Sequence, residues 1–551
     1  MLNLKYIQEL RTLDREIAQF SQQITSSGSF EKTLFIPTSS ALKNIRANLH
    51  ALFGDVEELD ESIPIVDVLA GHFKDYLSAV QQNLDQLGED PGKLFTTLGW
   101  KLNSLCLGDY RPDYIRYEAL MAKINQSPML WNDAVLPYAN KYDAKKLAKL
   151  HKGLTDAHKS IGFIVPKLGS AFLGLGETKI NSARKAFEEL LGSLHENISH
   201  VNKLSEAKGT PPKPVKRADG EVVDVTRDEY KNVLKNSIGV NLEDILGWHE
   251  EENEKTRAEL LALAAKLSNN VTTTAEVSKL LYEKAGPCAS PEEMFARAKD
   301  YLKLARAAAH KYIWLPEDEV CECVPIPERL KDSYPWGGYS SDYPSRYPLY
   351  NTMFLNNFNY TAITDGWIKI NALHEAYPGH HAQFIRAAID PIPETMKRGA
   401  SAVAYSEGVC IRTERVFEFV FGDDPYYPLM VALRRHHTST RIKIDLMLHY
   451  YGKTIGDACE MYEKEIGFDR VTARAQVQAH ENMMGYFTGY YYGVKKICDI
   501  EKQKKWNEKA YTELLFSVGR VNLETFEKIV NLSERDRHSL LHDFASKLQF
   551  A

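Results

Sequence analysis

Apolar residues return every three or four positions through most of this chain, and that spacing limits what it can fold into more than any other feature. Runs such as DAKKLAKLHKGLTDAHKSIGFIV (143–165) and ETKINSARKAFEELLGSLHENI (177–198) carry one apolar face at helical period. The expectation is a mainly α protein. Ser290-Pro291-Glu292-Glu293 reads as a helix start, with Ser as cap, Pro at the first turn and Glu293 able to close a capping box. Two stretches break the period. Lys208 to Val225 is rich in Pro and charge without an apolar face, which reads as a linker or exposed loop. Tyr334 to Tyr350 holds Tyr334, Trp336, Tyr339, Tyr343, Tyr347 and Tyr350 among Gly, Pro and Ser, an aromatic loop that either lines a cleft or packs on the body. TMFLNN after it has strand character. At 551 residues and about 150 per domain, three or four domains would fit.

Composition narrows the class. With 44% hydrophobic and 26% charged residues the chain is globular, and a net charge of −6 argues against a nucleic-acid binder. No apolar run approaches the length of a membrane helix, and the charged stretch MLNLKYIQELRTLDREIAQF does not read as a signal peptide, so a cytoplasmic protein is expected. Seven scattered cysteines give no disulfide framework, and the lone Cys321-x-Cys323 reads as two positions on a short strand. There is no internal repeat, phosphate loop or G-x-S-x-G elbow, and the Gly174-Leu175-Gly176 stretch is too short to count.

Chemistry concentrates in NALHEAYPGHHAQFI (371–385), where three of the chain's 17 histidines fall beside a glutamate. His374-Glu375 opens like the zinc helix HExxH, in which two imidazoles hold the metal and Glu is the general base, but the next ligand position is occupied by Pro378. An unbroken helix would set His374 and His380 about 9 Å apart at 1.5 Å per residue, too far for one ion. Pro378 cannot donate to the carbonyl of His374, and Gly379 accepts unusual angles, so a bulge or kink is expected that brings either His380 or His381 into place. The other would stand behind the site or near substrate. The alternative is a polar helix end whose histidines only hydrogen-bond. AYSEGVCIRTERVFEF offers Glu407 as third ligand and, two turns on, Glu414 to orient a ligating histidine or form a surface salt bridge.

HEAYPGHHAQ and SEGVCIRTE resemble the HExxPGHHxQ and EGWAxYxE motifs of the largely bacterial domain of unknown function 885 family, a resemblance that implies a zincin-like, gluzincin-type zinc peptidase. Further likeness runs from about Thr352 to Ile497: RIKIDLMLHYYGKTIGDACEMYEKEIG resembles the family's R-x-x-x-D-x-G-L-H segment, and MGYFTGYYYG its PGQALSYKIG. The pattern departs at Val409, Met447, Lys453-Thr454, Tyr486 and Tyr491, so specificity does not carry over. The resemblance implies a large helical body with two lobes, a few short strands near the metal helix, and a Zn2+ cofactor. It also draws attention to Arg441, Asp445, His449 and Tyr490. His449 and Tyr490 could each donate to a tetrahedral oxyanion, or be buried structural groups. Arg441 could grip a peptide carboxylate, but four residues before Asp445 it reads more simply as half of an intrahelical ion pair. Asp445 is taken as a supporting residue. Arg434-Arg435-His436-His437 reads as a solvated face with one side turned inward, and Lys502 to Lys505 as a surface charge run.

The expected organisation is therefore an N-terminal helical lobe (1–207), a linker (208–225) and a catalytic helical lobe (226–551), together walling one cleft. The expected activity is hydrolysis of short peptides, with Glu375 as base and His374, His380 or His381, and Glu407 as metal ligands. Two rivals are a zinc amidase or esterase on a non-peptide substrate, and a helical binding protein without catalysis. The partner expected is a peptide or small amide, with neither nucleic acid nor membrane.

Overall fold

The computed structural model describes residues 4–107, 109, 111–209, 217–328, 331, 334–340, 349–399 and 401–544. Helix dominates, as the periodicity requires, and the chain divides into two compact units. The first comprises 1–59 and 80–216, the second 60–79 and 217–551. The division at 216/217 falls inside the stretch read as a linker, while 60–79 goes with the second unit instead of the first.

In the first unit the Ala144–Ile164 helix starts where Asp143 accepts from the Lys146 amide at 2.7 Å. Its apolar stripe, Leu147, Leu150, Leu154, Ala157 and Ile161, is fully buried against Phe95, Leu98 and Leu102 of the Gly92–Leu107 helix and Phe187 and Leu194 of the Glu177–Ala207 helix.

The second unit holds a three-stranded sheet of order β1-β3-β2: β1 is Val320–Pro325, β2 Gly337–Ser340 and β3 Tyr350–Leu355. β1 runs parallel to β3 with Val320 opposite Tyr350, and β2 antiparallel with Gly337 opposite Leu355. The segment read as an aromatic loop thus contributes a strand at Gly337–Ser340, because its two glycines lie flat against Phe354 and Leu355 of β3. Tyr343 and Tyr347 lie outside the described residues. Cys321 and Cys323 sit on β1 as expected, and all seven cysteines are free. The helix Pro291–Ala309 begins at Ser290, whose hydroxyl accepts from the Glu293 amide at 3.3 Å; the Glu293 carboxylate reaches Ala289 instead of closing the box on Ser290.

The helix Tyr427–His449 runs through the middle of this unit, with 19 of its 23 residues buried. That corrects the reading of Arg434 to His437 as a solvated face. His436 packs against the Thr256 hydroxyl at 3.0 Å, and His437 meets the rings of Trp336, Tyr462 and Phe468. A helix surrounded on all sides shows no polar face, so charge along it predicts partners instead of solvent. Lys502 to Lys505 are exposed, as expected.

Candidate metal centre

The segment carrying His374 begins with Thr364, which caps the Asp365–Asn371 helix by accepting from the Trp367 amide at 3.4 Å. The last turn, Ala372–Ala376, widens to π spacing, and the Tyr377 amide closes it on the Ala372 carbonyl at 2.9 Å. Pro378 has no N–H for the next bond, so the helix ends there, and a new one, His380–Ile389, starts after Gly379. The expected kink is a complete break. Gly379 presses so close that a Cβ would stand 2.0 Å from the His374 carbonyl oxygen and 2.3 Å from that of Leu373. No other residue fits there without moving the π turn. The outcome is that the imidazoles of His374 and His380 lie 5.0 Å apart between centroids and at 86°.

The Val403–Val416 helix brings two carboxylates to this pair. Glu407 Oε2 is 3.3 Å from His374 Nε2 and 3.4 Å from His380 Nε2. Zinc ligands about 2.0–2.1 Å from the ion at tetrahedral corners stand about 3.3–3.4 Å from one another. Two turns later, Glu414 Oε1 is 2.7 Å from His374 Nδ1. That carboxylate accepts the Nδ1 proton, so Nε2 is the nitrogen turned toward Glu407, and it is there that a proton or a cation would be held. Burial opposes charge on both residues, yet the facing groups prevail: Glu407 and Glu414 raise His374 to about 10, while His380 and His374 hold Glu407 well below the usual carboxylate range. A pocket that attracts a proton so strongly suits a cation. The other Glu407 oxygen accepts from the Tyr486 hydroxyl at 2.6 Å.

This helix packs against the Thr488–Lys504 helix through two glycines: a Cβ on Gly408 would lie 2.4 Å from the carbonyl carbon of Gly493, and one on Gly493 would lie 1.8 Å from the Ala404 carbonyl oxygen. The close crossing presents Tyr490 to the histidine pair, its ring stacked on His374 at 6.2 Å and 6°. Cys410 also stands near, but its sulfur touches His380 Nδ1 at 3.4 Å, the nitrogen other than the one nearest Glu407. Its sulfur and ligand nitrogens of His374 and His380 all lie within 4.8 Å of one another, and burial and the neighbouring carboxylates push its thiol well above the ordinary range. His380 Nδ1 also meets Gln383 Oε1 at 3.1 Å.

His381 turns elsewhere. Its Nε2 lies 2.6 Å from Glu319 Oε2, a buried carboxylate that also accepts from Tyr377 at 2.7 Å and Arg306 at 2.6 Å. Of the two alternatives for second ligand, the structure brings His380 to His374 and Glu407 and commits His381 to Glu319. Asp445 and His449 also fall away from the site. Asp445 binds His480 Nδ1 and the Thr488 hydroxyl, each at 2.7 Å, and His480 Nε2 meets the Tyr462 hydroxyl at 2.8 Å. His449 is buried beside this cluster, 3.3 Å from the His480 carbonyl and 5.5 Å from the Tyr230 ring, and burial lowers its pKa. Neither residue is among those lining the cavity; the structure sets both in the His480 cluster instead of beside His374, His380 and Glu407. With Asp445 taken by His480 and Thr488, its ion pair with Arg441 does not form.

The cavity, about 510 Å³, is lined among others by Glu375, His380, Glu407 and Tyr490. Arg434, Arg441, Gln476, Tyr486 and Arg520 also line it; of these only Arg441 was singled out from sequence as a site residue. Tyr486 precedes Tyr490 by four residues, the one signal that could have paired them, but in an aromatic-rich segment that spacing reads as packing.

Helices with a small mixed sheet, built around a His/His/Glu triad facing a cavity, with His374 and Glu407 buried and His380 partly so, define the class. The chain belongs to the family described as bacterial protein of unknown function (DUF885), whose model matches residues 75–530. No curated protein matches it significantly. Two solved structures share the fold at 14% identity and a TM-score of 0.72. One, from Colwellia psychrerythraea, covers 95% of this chain and 98% of its own; the other, from Shewanella oneidensis, covers 96% and 100%. Both are described as a "putative lipoprotein", the second of unknown function. Among the described residues no helix is long and apolar enough to cross a membrane.

Proposed function

We propose that this protein is a zinc-dependent peptidase of zincin-like, gluzincin-type architecture that hydrolyses short peptides. The observation that carries this reading is the Glu407 oxygen 3.3 and 3.4 Å from two imidazole nitrogens, the edge lengths of a single zinc tetrahedron. His374, His380 and Glu407 would hold the ion, and Glu414 fixes the His374 tautomer. Zinc there would supply Lewis acidity to the scissile carbonyl and lower the pKa of water toward neutrality. Glu375, one residue from His374 and on the cavity wall, takes the proton of the attacking water; as the C–N bond breaks it delivers that proton to the leaving amine. Tyr490, stacked on His374 and lining the cavity, would serve as a donor to the developing oxyanion. A 510 Å³ cavity suits a few residues better than a folded chain. Seven free cysteines suit a reducing compartment, in keeping with a cytoplasmic location.

Protein purified without added metal should contain about one equivalent of zinc. Glu375→Gln should keep that zinc and lose hydrolysis by about a hundredfold to ten-thousandfold. Substoichiometric metal together with an unaffected His374→Ala variant would end the reading, and full activity in Glu375→Gln would remove the base.

A further inference from the structure

Arg441 is 5% exposed and lines the cavity, yet among the described residues no carboxylate pairs with it. Its Nη2 reaches Gln476 Oε1 at 3.4 Å, its Nε has no partner, and its flat guanidinium lies 4.6 Å from the Phe487 ring and 5.3 Å from that of Tyr490. Arg434, seven residues earlier on the same helix, lies 5.5 Å from the Tyr490 ring, with its Nε also unpartnered and 3.7 Å from Glu414. Glu414 answers the charge of Arg434, whereas Arg441 has no such counter-ion, and a buried charge left unpaired is costly. The carboxylates of the cavity are otherwise engaged: Glu407 faces the imidazoles, and Glu375 is the base. An anion entering the cavity would relieve this, and a planar carboxylate matches the guanidinium fork.

Resting on the peptidase reading, we propose that Arg441, with Gln476 and Arg434 beside it, is a subsite for a substrate carboxylate, which makes the cavity selective for peptides offering one next to the scissile bond. The Tyr490 ring spans the gap, 5.3 Å from Arg441 and 6.2 Å from His374. At about 3.3–3.6 Å per extended residue, no more than about three residues separate the carboxylate from the bond cleaved. The two sources of that group are a peptide's free C-terminus and an acidic side chain.

Three N-acylated tripeptides test this with the zinc-loaded protein: one with a free C-terminus, the same sequence as carboxamide, and a carboxamide ending in Glu. The free acid should exceed the plain amide in kcat/KM by about a hundredfold. Arg441→Gln should collapse that ratio toward one, and Arg441→Lys should retain part of it. In zinc-loaded Glu375→Gln, calorimetry should show the free acid binding at least about tenfold more tightly than the amide. If the Glu-bearing amide matches the free acid, the carboxylate subsite stands and serves a side chain. Equal rates and equal binding for acid and amide overturn the subsite while leaving the peptidase reading intact. Tight, Arg441-dependent binding of the acid without cleavage by the unsubstituted protein keeps the subsite and overturns the peptidase reading.

Discussion

Two histidines in the second unit are built alike and end differently. His374 and His480 are both buried on helical segments, and each sets Nδ1 2.7 Å from a carboxylate, Glu414 in one case and Asp445 in the other. They differ at the second nitrogen. His480 Nε2 is taken by the Tyr462 hydroxyl at 2.8 Å, so its hydrogen bonding is complete within the protein. His374 Nε2 faces a second carboxylate, with a second imidazole across from it. A carboxylate behind a histidine orients the ring in either setting; what stands before the ring decides whether it supports the fold or receives an ion.

Removing each ring should separate them most sharply. His374→Ala should lower bound zinc from about one equivalent to a background level. His480→Ala should keep the zinc and lower Tm by several degrees, since it strands Asp445 and Tyr462. Metal analysis beside a thermal melt reads both, and equal zinc loss in the two variants would erase the distinction.

A smaller effect is expected behind the rings. Glu414→Gln should weaken zinc binding by about 10–100-fold in a chelator competition, whereas Asp445→Asn should change it by less than about twofold and appear only in stability.

The smallest effect concerns a third histidine, His72, which pairs with no carboxylate among the described residues. Burial lowers it to about 4, only partly offset by a hydrogen bond with the Thr395 backbone. Unfolded, such a group takes its proton near 6.5, so between 6.5 and 4 the unfolded chain binds more protons than the folded one. Stability is therefore full above about 6.5 and falls as pH drops through that window, by up to about 1.4 kcal/mol per unit. Denaturant melts across the window should show this slope, and His72→Asn should flatten it.

These contrasts also show how far the sequence could be read. The spacing of Glu407 and Glu414, close to two full turns, put both carboxylates on one side of a helix, and the structure places them at the two nitrogens of His374. Pro378 and Gly379 announced an interruption, although not that a second helix would begin at His380. The i,i+4 spacing of Arg441 and Asp445 misled because it counts neighbours on a single helix, while Asp445 was claimed by His480 and Thr488 from two other segments. Glu319, 62 residues from His381, and Tyr486, 79 residues from Glu407, meet their partners only through tertiary packing, which no local spacing records.

The Gly408 and Gly493 crossing has a practical consequence. With no room for even a methyl group between the two helices, they cannot slide past one another to accommodate a new side chain, so Glu407 and Tyr490 keep a fixed separation. The arginine-bearing wall lies on another helix. Substitutions at Arg441, which touches neither histidine nor Glu414, could retune which molecules are admitted while the spacing of Glu407 and Tyr490 stays put, making this pocket a practical scaffold for redesign: one part held constant, another free to vary.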